Sequence, residues 1–351
     1  MKAVGVIERG LPISDERALR DLVLPDPGPP QGRDLLVRVH AVSVNPRDVK
    51  SRVAFPASPE KPLVLGYDAS GVVEAAGPDA TLFRPGDAVF YAGVLNRPGS
   101  NAELQLVDER IAGRKPASLS HAAAASLPLT ALTASEMLFD RLGIERCDKA
   151  SGDASRRGAS EGTGGMLLII GGAGGVPSIA IQLARALTRL TIIATASRPE
   201  SARWVGELGA HHVVDHSRPL PPQLAALGLG PPHYVFCTHT DAKRWAEVAE
   251  LIAPQGRFGL IDDPEPLDLK LVKFKSISIH WEAMFTRPMC ETPDMIRQHE
   301  ILNEVAALVD AGTLRATQAE HYGTITAANL RRAHAAIESG GAIGKIVLEG
   351  F

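Results

Sequence analysis

One stretch of the sequence decides the fold: Ile169-Ile170-Gly171-Gly172-Ala173-Gly174-Gly175-Val176-Pro177-Ser178. It begins in an apolar run typical of a buried strand and ends where a helix is predicted. Gly172 and Gly174 match the first two glycines of a Gly-x-Gly-x-x-Gly fingerprint, in which the first permits a tight turn and the second lets the backbone approach a pyrophosphate. The N–H groups at the start of the helix then form an anion site. We therefore predict that a dinucleotide phosphate is bound by Gly172, Ala173, Gly174, Gly175 and Val176.

Pro177 stands where the third glycine of the fingerprint belongs. That glycine normally allows close packing of the helix on the strand, whereas the proline ring is bulkier and removes one N–H donor. Proline is tolerated in the first helical turn because its missing N–H would have no intrahelical partner there. The phosphate site is therefore still predicted, and Pro177 leaves its affinity open.

From Leu167 onward, apolar strands alternate with helices, which is typical of a doubly wound parallel sheet. Strands are predicted at Leu167–Ile170, Thr191–Ala196, His212–Val214, Tyr234–Cys237, Phe258–Ile261 and Ser276–His280. Helices are predicted over Ser178–Leu187, Pro199–Leu208, Asp241–Ile252 and Leu302–Val309, before a closing strand at Lys345–Leu348. A membrane span over Met166–Ala184 is the weaker interpretation, because glycines and a proline interrupt its middle.

Residues 1–128 have a different character, with short β-like runs separated by many prolines and glycines. This pattern predicts a barrel-like or sandwich-like β domain. Ser120 is the predicted N-cap of a helical region that continues through Leu129–Phe139. A polar, low-complexity segment from Cys147 to Gly165 then predicts a loop to which we assign no chemistry.

The composition limits the classes of function. The chain has 351 residues, which suggests two domains, and a formal charge of −3, which gives no reason to expect a nucleic acid or an anionic membrane as partner. Its 3 cysteines are too few and too scattered for a disulfide framework or a zinc knuckle, so we predict a reducing cytoplasm as its location. The N-terminus lacks the apolar run of a signal peptide.

The end of the second strand indicates which dinucleotide binds. NAD-binding units usually place an acidic residue there for the ribose 2′-hydroxyl, but this chain has Ala196-Ser197-Arg198-Pro199. Ser197 and Arg198 can hydrogen-bond and charge-pair a 2′-phosphate. The alternative is a solvated arginine, although a cation at a helix start is mildly unfavourable. We predict NADP(H) as the cofactor.

Several motifs in this order resemble the medium-chain dehydrogenase/reductase superfamily, in its quinone-oxidoreductase-like branch. They are Asn45-Pro46-Arg47-Asp48, Gly66-Tyr67-Asp68-Ala69-Ser70-Gly71, Arg84-Pro85-Gly86-Asp87-Ala88-Val89, Leu127-Pro128-Leu129-Thr130-Ala131-Leu132-Thr133-Ala134, the Gly172–Val176 turn and Gly344-Lys345-Ile346-Val347. Ala194–Glu200 and Trp281–Arg287 are similar to a bacterial subgroup labelled zinc-type alcohol dehydrogenase-like.

The resemblance implies a GroES-like β-rich catalytic domain and a Rossmann doubly wound domain inserted into it. We expect 1–128 to form the first part of the catalytic domain, 129–283 the NADP(H)-binding domain, and 284–351 the return to the catalytic domain, with the active cleft at their junction. It also implies a homodimer, for which the strand around Ser276–His280 is the predicted contact.

The resemblance also allows the metal to be examined position by position. Zinc-dependent relatives carry Cys, His-Glu and Cys at three places, which hold Asn45, Tyr67-Asp68 and Leu129 in this chain. A catalytic zinc needs three N, S or O ligands around an open position, and asparagine and leucine are poor replacements. We therefore predict that the protein binds no metal, despite the label of the subgroup.

Without a Lewis acid, hydride addition to a quinone or an α,β-unsaturated carbonyl is favoured, because conjugation spreads the developing charge. Tyr67 is the candidate hydrogen-bond donor, and a packed aromatic with a satisfied hydroxyl is the equal alternative. Asn45 is a candidate catalytic and cofactor-binding residue by its family position, and Asp48 is expected to hold the local turn. A zinc-type alcohol dehydrogenase and a non-catalytic NADPH-binding sensor or structural protein remain the rival functions.

Four further residues are predicted to contact the cofactor. Thr130 lies at a helix start, and His216 follows the third strand where relatives often carry tyrosine, although a surface histidine is the competing interpretation. Thr238 and Ile261 fall at the carboxyl ends of later strands, where ligands of such sheets bind. Phe285 and Arg287 could line a pocket or a dimer contact.

Overall fold

The computed structural model describes residues 1–147 and 165–351. They form two compact units, one made of Met1–Leu132 with Met284–Phe351 and the other of Thr133–Ala283. The predicted polar loop lies, apart from its end residues, outside the described residues.

The elements are numbered in chain order. The strands are β1 (Lys2–Val6), β2 (Arg20–Val23), β3 (Asp34–Val44), β4 (Leu63–Val64), β5 (Ala69–Ala76), β6 (Ala88–Tyr91), β7 (Leu104–Asp108), β8 (Ala112–Arg114), β9 (Met166–Ile170), β10 (Thr191–Thr195), β11 (His212–Val214), β12 (Tyr234–Cys237), β13 (Arg257–Leu260), β14 (Ser278–Trp281), β15 (Gln318–His321) and β16 (Lys345–Glu349). The helices are α1 (Pro46–Ala54), α2 (His121–Ala125), α3 (Pro128–Ser135), α4 (Gly175–Leu187), α5 (Pro199–Glu207), α6 (Leu220–Ala226), α7 (Ala242–Leu251), α8 (Thr286–Met289), α9 (Arg297–Asp310) and α10 (Ala327–Glu338).

The first unit is built on a seven-stranded sheet in the order β15-β16-β3-β5-β6-β8, with β7 also paired to β3. The long strand β3 buries Leu35, Val37 and Val39 in the core of this unit, which accounts for its apolar alternation. The last strand of the chain, β16, runs antiparallel to β3 and pairs Ile346 with Val44. The C-terminal strand therefore lies beside the residues that precede α1.

The second unit contains a six-stranded parallel sheet in the order β11-β10-β9-β12-β13-β14. All five residues of β9 are buried, as expected for a strand covered on both faces. The order reverses between β9 and β12, and ligands of such sheets bind at this point, outside the carboxyl ends of the strands. The predicted fold class, a GroES-like β-rich domain with a Rossmann doubly wound domain, is confirmed.

Some predicted boundaries move for local reasons. The sixth strand starts at Ser278 rather than Ser276, because Leu269–Lys275 forms a 3-10 helix and Ser276 then adopts a left-handed conformation with φ of 52°. The predicted helix over Leu129–Phe139 is divided into α3 and a π-helical turn at Glu136–Arg141. Ser120 is the N-cap of α2, as predicted, because its side chain accepts the Ala123 N–H.

Among the described residues, one helical stretch, His121–Arg141, is long and apolar enough to cross a membrane. Within its apolar window, 89% is buried inside the protein, as in the core helix of a globular protein. The stretch Met166–Ala184 is not a continuous helix, because it contains β9, the glycine turn and part of α4.

Candidate functional site

Two glycines shape the turn between β9 and α4. Gly171 has a φ of 91°, and a Cβ added there would lie 2.2 Å from Thr238 Oγ1. The Gly172 N–H donates to the Thr195 carbonyl at 3.0 Å, and an added Cβ would lie 2.7 Å from the same oxygen. Any larger residue at either position would push the turn away from the neighbouring strand ends. The sequence thus needs glycine here to keep the backbone close to the carboxyl edge of the sheet.

The first turn of α4 offers backbone donors for an anion. Gly174 is the N-cap, so Gly175 and Val176 are the first two helical residues and their N–H groups have no intrahelical acceptor. Pro177 occupies the third helical position, where it breaks no helical hydrogen bond but supplies no donor. This turn therefore fits a dinucleotide pyrophosphate, with the two helical donors beside Ala173.

Thr195 links the turn to His216 at the ends of β10 and β11. Its Oγ1 accepts the Gly171 N–H at 3.0 Å and is hydrogen-bonded to His216 Nδ1 at 3.1 Å. Burial, and then the charge of Arg244, lower the pKa of His216, which favours its neutral form. The structure therefore brings His216 to the glycine turn rather than leaving it as an isolated surface histidine.

Ser197 and Arg198 follow β10 and are exposed. The Arg198 Nε lies 3.6 Å from Glu200 Oε1, a loose contact at an exposed position. Arg244, which the sequence interpretation missed, donates from Nη2 to the His216 carbonyl at 2.8 Å. Arg244 lies on α7, 28 residues away in the sequence, so no local motif pointed to it.

The two later strand ends lie on the same carboxyl edge. Thr238 Oγ1 donates to the Ile170 carbonyl at 3.1 Å, which ties the end of β12 to the glycine turn. Ile261 directly follows β13 and is half-buried. Beyond it, the Asp262 carbonyl accepts the Trp281 indole N–H at 2.9 Å. Thr238 therefore contacts the glycine turn directly, whereas Ile261 follows β13, the next strand of the sheet after β12.

A second polar cluster lies in the first unit, at the positions where the family resemblance places the metal ligands of zinc-dependent relatives. The Asp68 carboxylate is fully buried and accepts four hydrogen bonds, from Ser43 Oγ at 3.0 Å, Asn45 Nδ2 at 2.8 Å, the Leu129 N–H at 2.7 Å and Lys345 Nζ at 2.9 Å. We call Asn45, Asp68 and Lys345 the lysine cluster.

Lys345 is the residue of this cluster that the sequence interpretation missed. It is 3% exposed, and its ammonium donates to the Val44 carbonyl at 3.0 Å, to Asn45 Oδ1 and to Asp68 Oδ2. The motif Gly344-Lys345-Ile346-Val347 marked it as part of a strand, but nothing local showed that its side chain would turn inward to a residue 277 positions earlier.

The donor set of this cluster does not fit a zinc ion. Asn45 and Asp68 are the only side chains from the three metal positions that reach it, because Leu129 contributes its backbone N–H. Both Asp68 oxygens already accept hydrogen bonds, and the Lys345 ammonium supplies the positive charge. Within residues 1–147 and 165–351, no three His, Cys, Asp or Glu side chains are grouped as metal ligands.

Tyr67 is buried beside this cluster. Its hydroxyl donates to Ser51 Oγ at 3.2 Å, and its ring meets Phe285 edge-on with centroids 5.5 Å apart. Burial raises the pKa of Tyr67 to about 12, so the hydroxyl stays protonated. This geometry is that of a packed aromatic with a partnered hydroxyl. Phe285 takes part in the packing, whereas Arg287 pairs with Asp294 at 3.0 Å.

The side chains of Asp48 and Thr130 are both hydrogen-bonded to backbone groups. Asp48 accepts the N–H groups of Asn45 at 2.8 Å and Gly66 at 3.0 Å, which confirms its predicted role in holding the turn. Thr130 is buried on α3, and its Oγ1 donates to the Leu127 carbonyl at 3.0 Å. The Thr130 hydroxyl thus has a partner in the residue that precedes its own helix.

Models of two protein domains match the chain. Residues 31–117 match the alcohol dehydrogenase GroES-like domain, and residues 208–348 match a domain described as zinc-binding dehydrogenase. The first lies within the β-rich unit, and the second runs from the parallel sheet into the C-terminal segment.

Whole-chain relatives agree with these matches. A zinc-type alcohol dehydrogenase-like protein of Staphylococcus aureus is 42% identical over 91% of each chain. A Rhizobium etli structure, assigned by name to the zinc-dependent alcohol dehydrogenases, is 56% identical, covers 100% of this chain and 98% of its own, and has a TM-score of 0.92. The Escherichia coli quinone oxidoreductase complexed with NADPH shares the fold at 20% identity, with 99% and 100% of the two chains covered and a TM-score of 0.78.

Proposed function

Because the chain belongs to the medium-chain dehydrogenase/reductase superfamily and is an oxidoreductase of that type, we propose that it is an NADPH-dependent, zinc-independent reductase. Its proposed substrates are quinones or α,β-unsaturated carbonyls. NADPH, when bound, supplies the hydride for such a reduction. The protein's own residues bind the cofactor, orient the acceptor and exclude water.

One observation carries the choice of acceptor. The Asp68 carboxylate, at the position of a metal ligand in zinc-dependent relatives, is saturated by four hydrogen-bond donors, one of them a lysine ammonium. A simple aldehyde or ketone needs its oxygen polarised by a Lewis acid, whereas a quinone or enone spreads the developing charge by conjugation. The lysine cluster therefore favours an acceptor that is already activated.

The proposed cofactor contacts follow from the turn and the strand ends. Gly172, Ala173, Gly174, Gly175 and Val176 would hold the pyrophosphate through their backbone. Ser197 and Arg198 are exposed where an adenosine 2′-phosphate would lie, and no acidic residue precedes them at the end of β10. His216, Thr238, Ile261, Thr130 and Asn45 stay proposed contacts along the rest of the cofactor.

Tyr67 and Asn45 are the proposed polar groups for the reaction. The raised pKa of Tyr67 supports a hydrogen-bond donor rather than a base. Its link to Ser51 means that a substrate oxygen would have to replace Ser51 as the acceptor. Replacing Tyr67 by Phe tests this, because a loss of turnover of about 100-fold is expected for a donor and almost none for a packing residue.

The test of the whole proposal is NADPH oxidation, followed by absorbance, with a panel of quinones, enones and simple aldehydes. Turnover of conjugated acceptors without added metal is expected. Aldehyde turnover that depends on zinc would favour an alcohol dehydrogenase, and saturable NADPH binding with no turnover would favour a sensor or structural protein.

The same proposal includes a homodimer in the cytoplasm. β14 is the last strand of the parallel sheet, and Trp281 is its last residue. Leu269, Leu271 and Phe274 lie in the 3-10 helix that precedes β14, and all four side chains are exposed, with Phe274 at 96%. We call these four side chains the apolar edge patch. A sheet-edge strand that lies close in sequence to exposed apolar side chains is typical of a protein contact surface, which supports a second copy as the partner.

A further inference from the structure

The lysine cluster places one positive charge inside the first unit. Lys345 is 3% exposed and Asp68 is fully buried, so their pairing at 2.9 Å is shielded from water. The ammonium donates its three hydrogens to the Val44 carbonyl, Asn45 Oδ1 and Asp68 Oδ2. A buried ammonium costs much free energy unless each of its donors is partnered, so such an arrangement is retained only where the charge has a use or is fully compensated.

We propose that Lys345 is a positioning residue whose ammonium takes the place of the metal cation in this chain and fixes the Asn45 amide and the segment carrying Tyr67. The inference rests on the proposed function, since it names the residue that organises the same site. The ammonium makes no contact with substrate, because its three donors are already used.

The Asn45 amide is held at both ends by the cluster. Its Oδ1 accepts from Lys345 and its Nδ2 donates to Asp68 at 2.8 Å, so the amide cannot flip without losing two hydrogen bonds to charged groups. One Nδ2 hydrogen remains for another acceptor. The charge pair thereby decides which face of Asn45 presents its amide donor.

The same charge pair also fixes Tyr67. Asp68 follows Tyr67 directly in the sequence, and Asn45 is the N-cap of α1, the helix that carries Ser51. The Tyr67 hydroxyl donates to Ser51, so one end of this contact is next to Asp68 in the sequence and the other lies on the helix that Asn45 caps. Removing the ammonium would loosen both the donor and its partner.

The experiment compares three variants with the wild-type protein. Lys345→Met leaves the Asp68 charge buried without its cation and is expected to destabilise the fold. The double variant Lys345→Met/Asp68→Asn removes both charges and is expected to recover folding. Arg52→Met is the control, because Arg52 is also 3% exposed and pairs with Glu338, which is not a member of the cluster.

Five quantities are measured for each: thermal midpoint, NADPH affinity by fluorescence, kcat for a quinone, KM for the same quinone, and zinc content after incubation with Zn²⁺ and desalting. We expect the double variant to melt near the wild type and to lose about 10-fold or more in kcat. The control should lose stability while its folded fraction keeps its kcat. Recovery of kcat together with folding in the double variant would overturn the positioning role.

Two readouts keep this test separate from the proposed reaction. The chain has five asparagines, so selective ¹⁵N labelling can follow the Asn45 amide, which should exchange slowly in the wild type and the control and faster in the double variant. Unchanged exchange, or stoichiometric zinc in the wild type, contradicts the role of Lys345 whether or not a quinone is reduced. Absence of quinone reduction by the wild type, with the expected exchange, contradicts only the proposed function.

Discussion

Arg198 is the residue whose charge should decide between the two nicotinamide dinucleotides. Replacing it by alanine removes an exposed charge partner for a 2′-phosphate, so the Kd for NADPH should rise about 10-fold while the Kd for NADH stays unchanged. Fluorescence titration with both cofactors measures this. Arg203→Ala is the control, since Arg203 is exposed on the same helix, α5. An equal rise in Kd for NADPH and NADH, or no rise in either, would contradict the assignment of Arg198 to the 2′-phosphate.

Pro177 is the second residue with a measurable effect on the cofactor. Pro177→Ala restores an N–H at the third position of α4, so NADPH should bind about 3-fold tighter, as one modest hydrogen bond allows. Pro222→Ala is matched to it, because Pro222 occupies the same third position of α6. If the Kd for NADPH does not fall in Pro177→Ala, the N–H that proline lacks is not needed to bind the phosphate.

At the scale of elements, the glycine turn and the strand order could be predicted because their signals are local. A tight turn needs glycine, and a buried parallel strand needs a continuous apolar run. The lysine cluster could not be predicted, since Lys345 meets Asp68 only after β16 has paired with β3. The Tyr67 hydroxyl likewise donates to Ser51 on α1, a residue 16 positions earlier. From the sequence, Tyr67 could therefore be either a hydrogen-bond donor to substrate or a packed aromatic.

The π-helical turn Glu136–Arg141 brings the Glu136 carboxyl group close to Glu282. Glu282 Oε2 also pairs with Arg141 Nε at 2.8 Å. Burial, and then the charge of Glu136, raise the pKa of Glu282 well above its ordinary value of 4.5. Above pH 4.5 Glu282 in the unfolded state loses its proton, whereas Glu282 in the folded state retains it. The free energy of unfolding should therefore fall as the pH rises from 4.5 through the raised pKa.

Glu282→Gln should remove this fall in stability with rising pH, as measured by urea unfolding across a pH series. Glu300→Gln, at an exposed position on α9, should leave the slope unchanged. The same slope in Glu282→Gln and wild type would show that Glu282 does not retain its proton on folding.

Helix α10 carries the opposite pH dependence. Among the described residues, neither buried ring nitrogen of His334 has a hydrogen-bond partner. Burial, with the charge of Arg52, lowers the pKa of His334 to about 3. Between that pH and 6.5 the unfolded state binds more protons, so stability should fall as the pH drops below 6.5. His334→Leu should reduce this loss and raise stability by about 1 kcal/mol, whereas exposed His321→Leu should do neither. Urea unfolding at several pH values decides.

At the scale of the whole molecule, the apolar edge patch should decide the oligomeric state. Phe274→Lys places a charge at its most exposed position and should shift a dimer to a monomer in light scattering after size exclusion, with little change in thermal midpoint. Val53→Lys, another exposed apolar position, is the control. A wild-type monomer at all concentrations would contradict the proposed dimer.

The position of β16 has a consequence for synthesis on the ribosome. The parallel sheet is encoded by one continuous segment and can fold while translation continues, whereas the β-rich unit waits for its last strand. Until Lys345 emerges, Asp68 has no lysine partner, and the end of β3 at residues 41–44 lacks the strand that pairs with it. The nascent chain therefore carries an incomplete β-rich unit from the time Leu132 is made until β16 is made, and that interval is when chaperone binding would matter most.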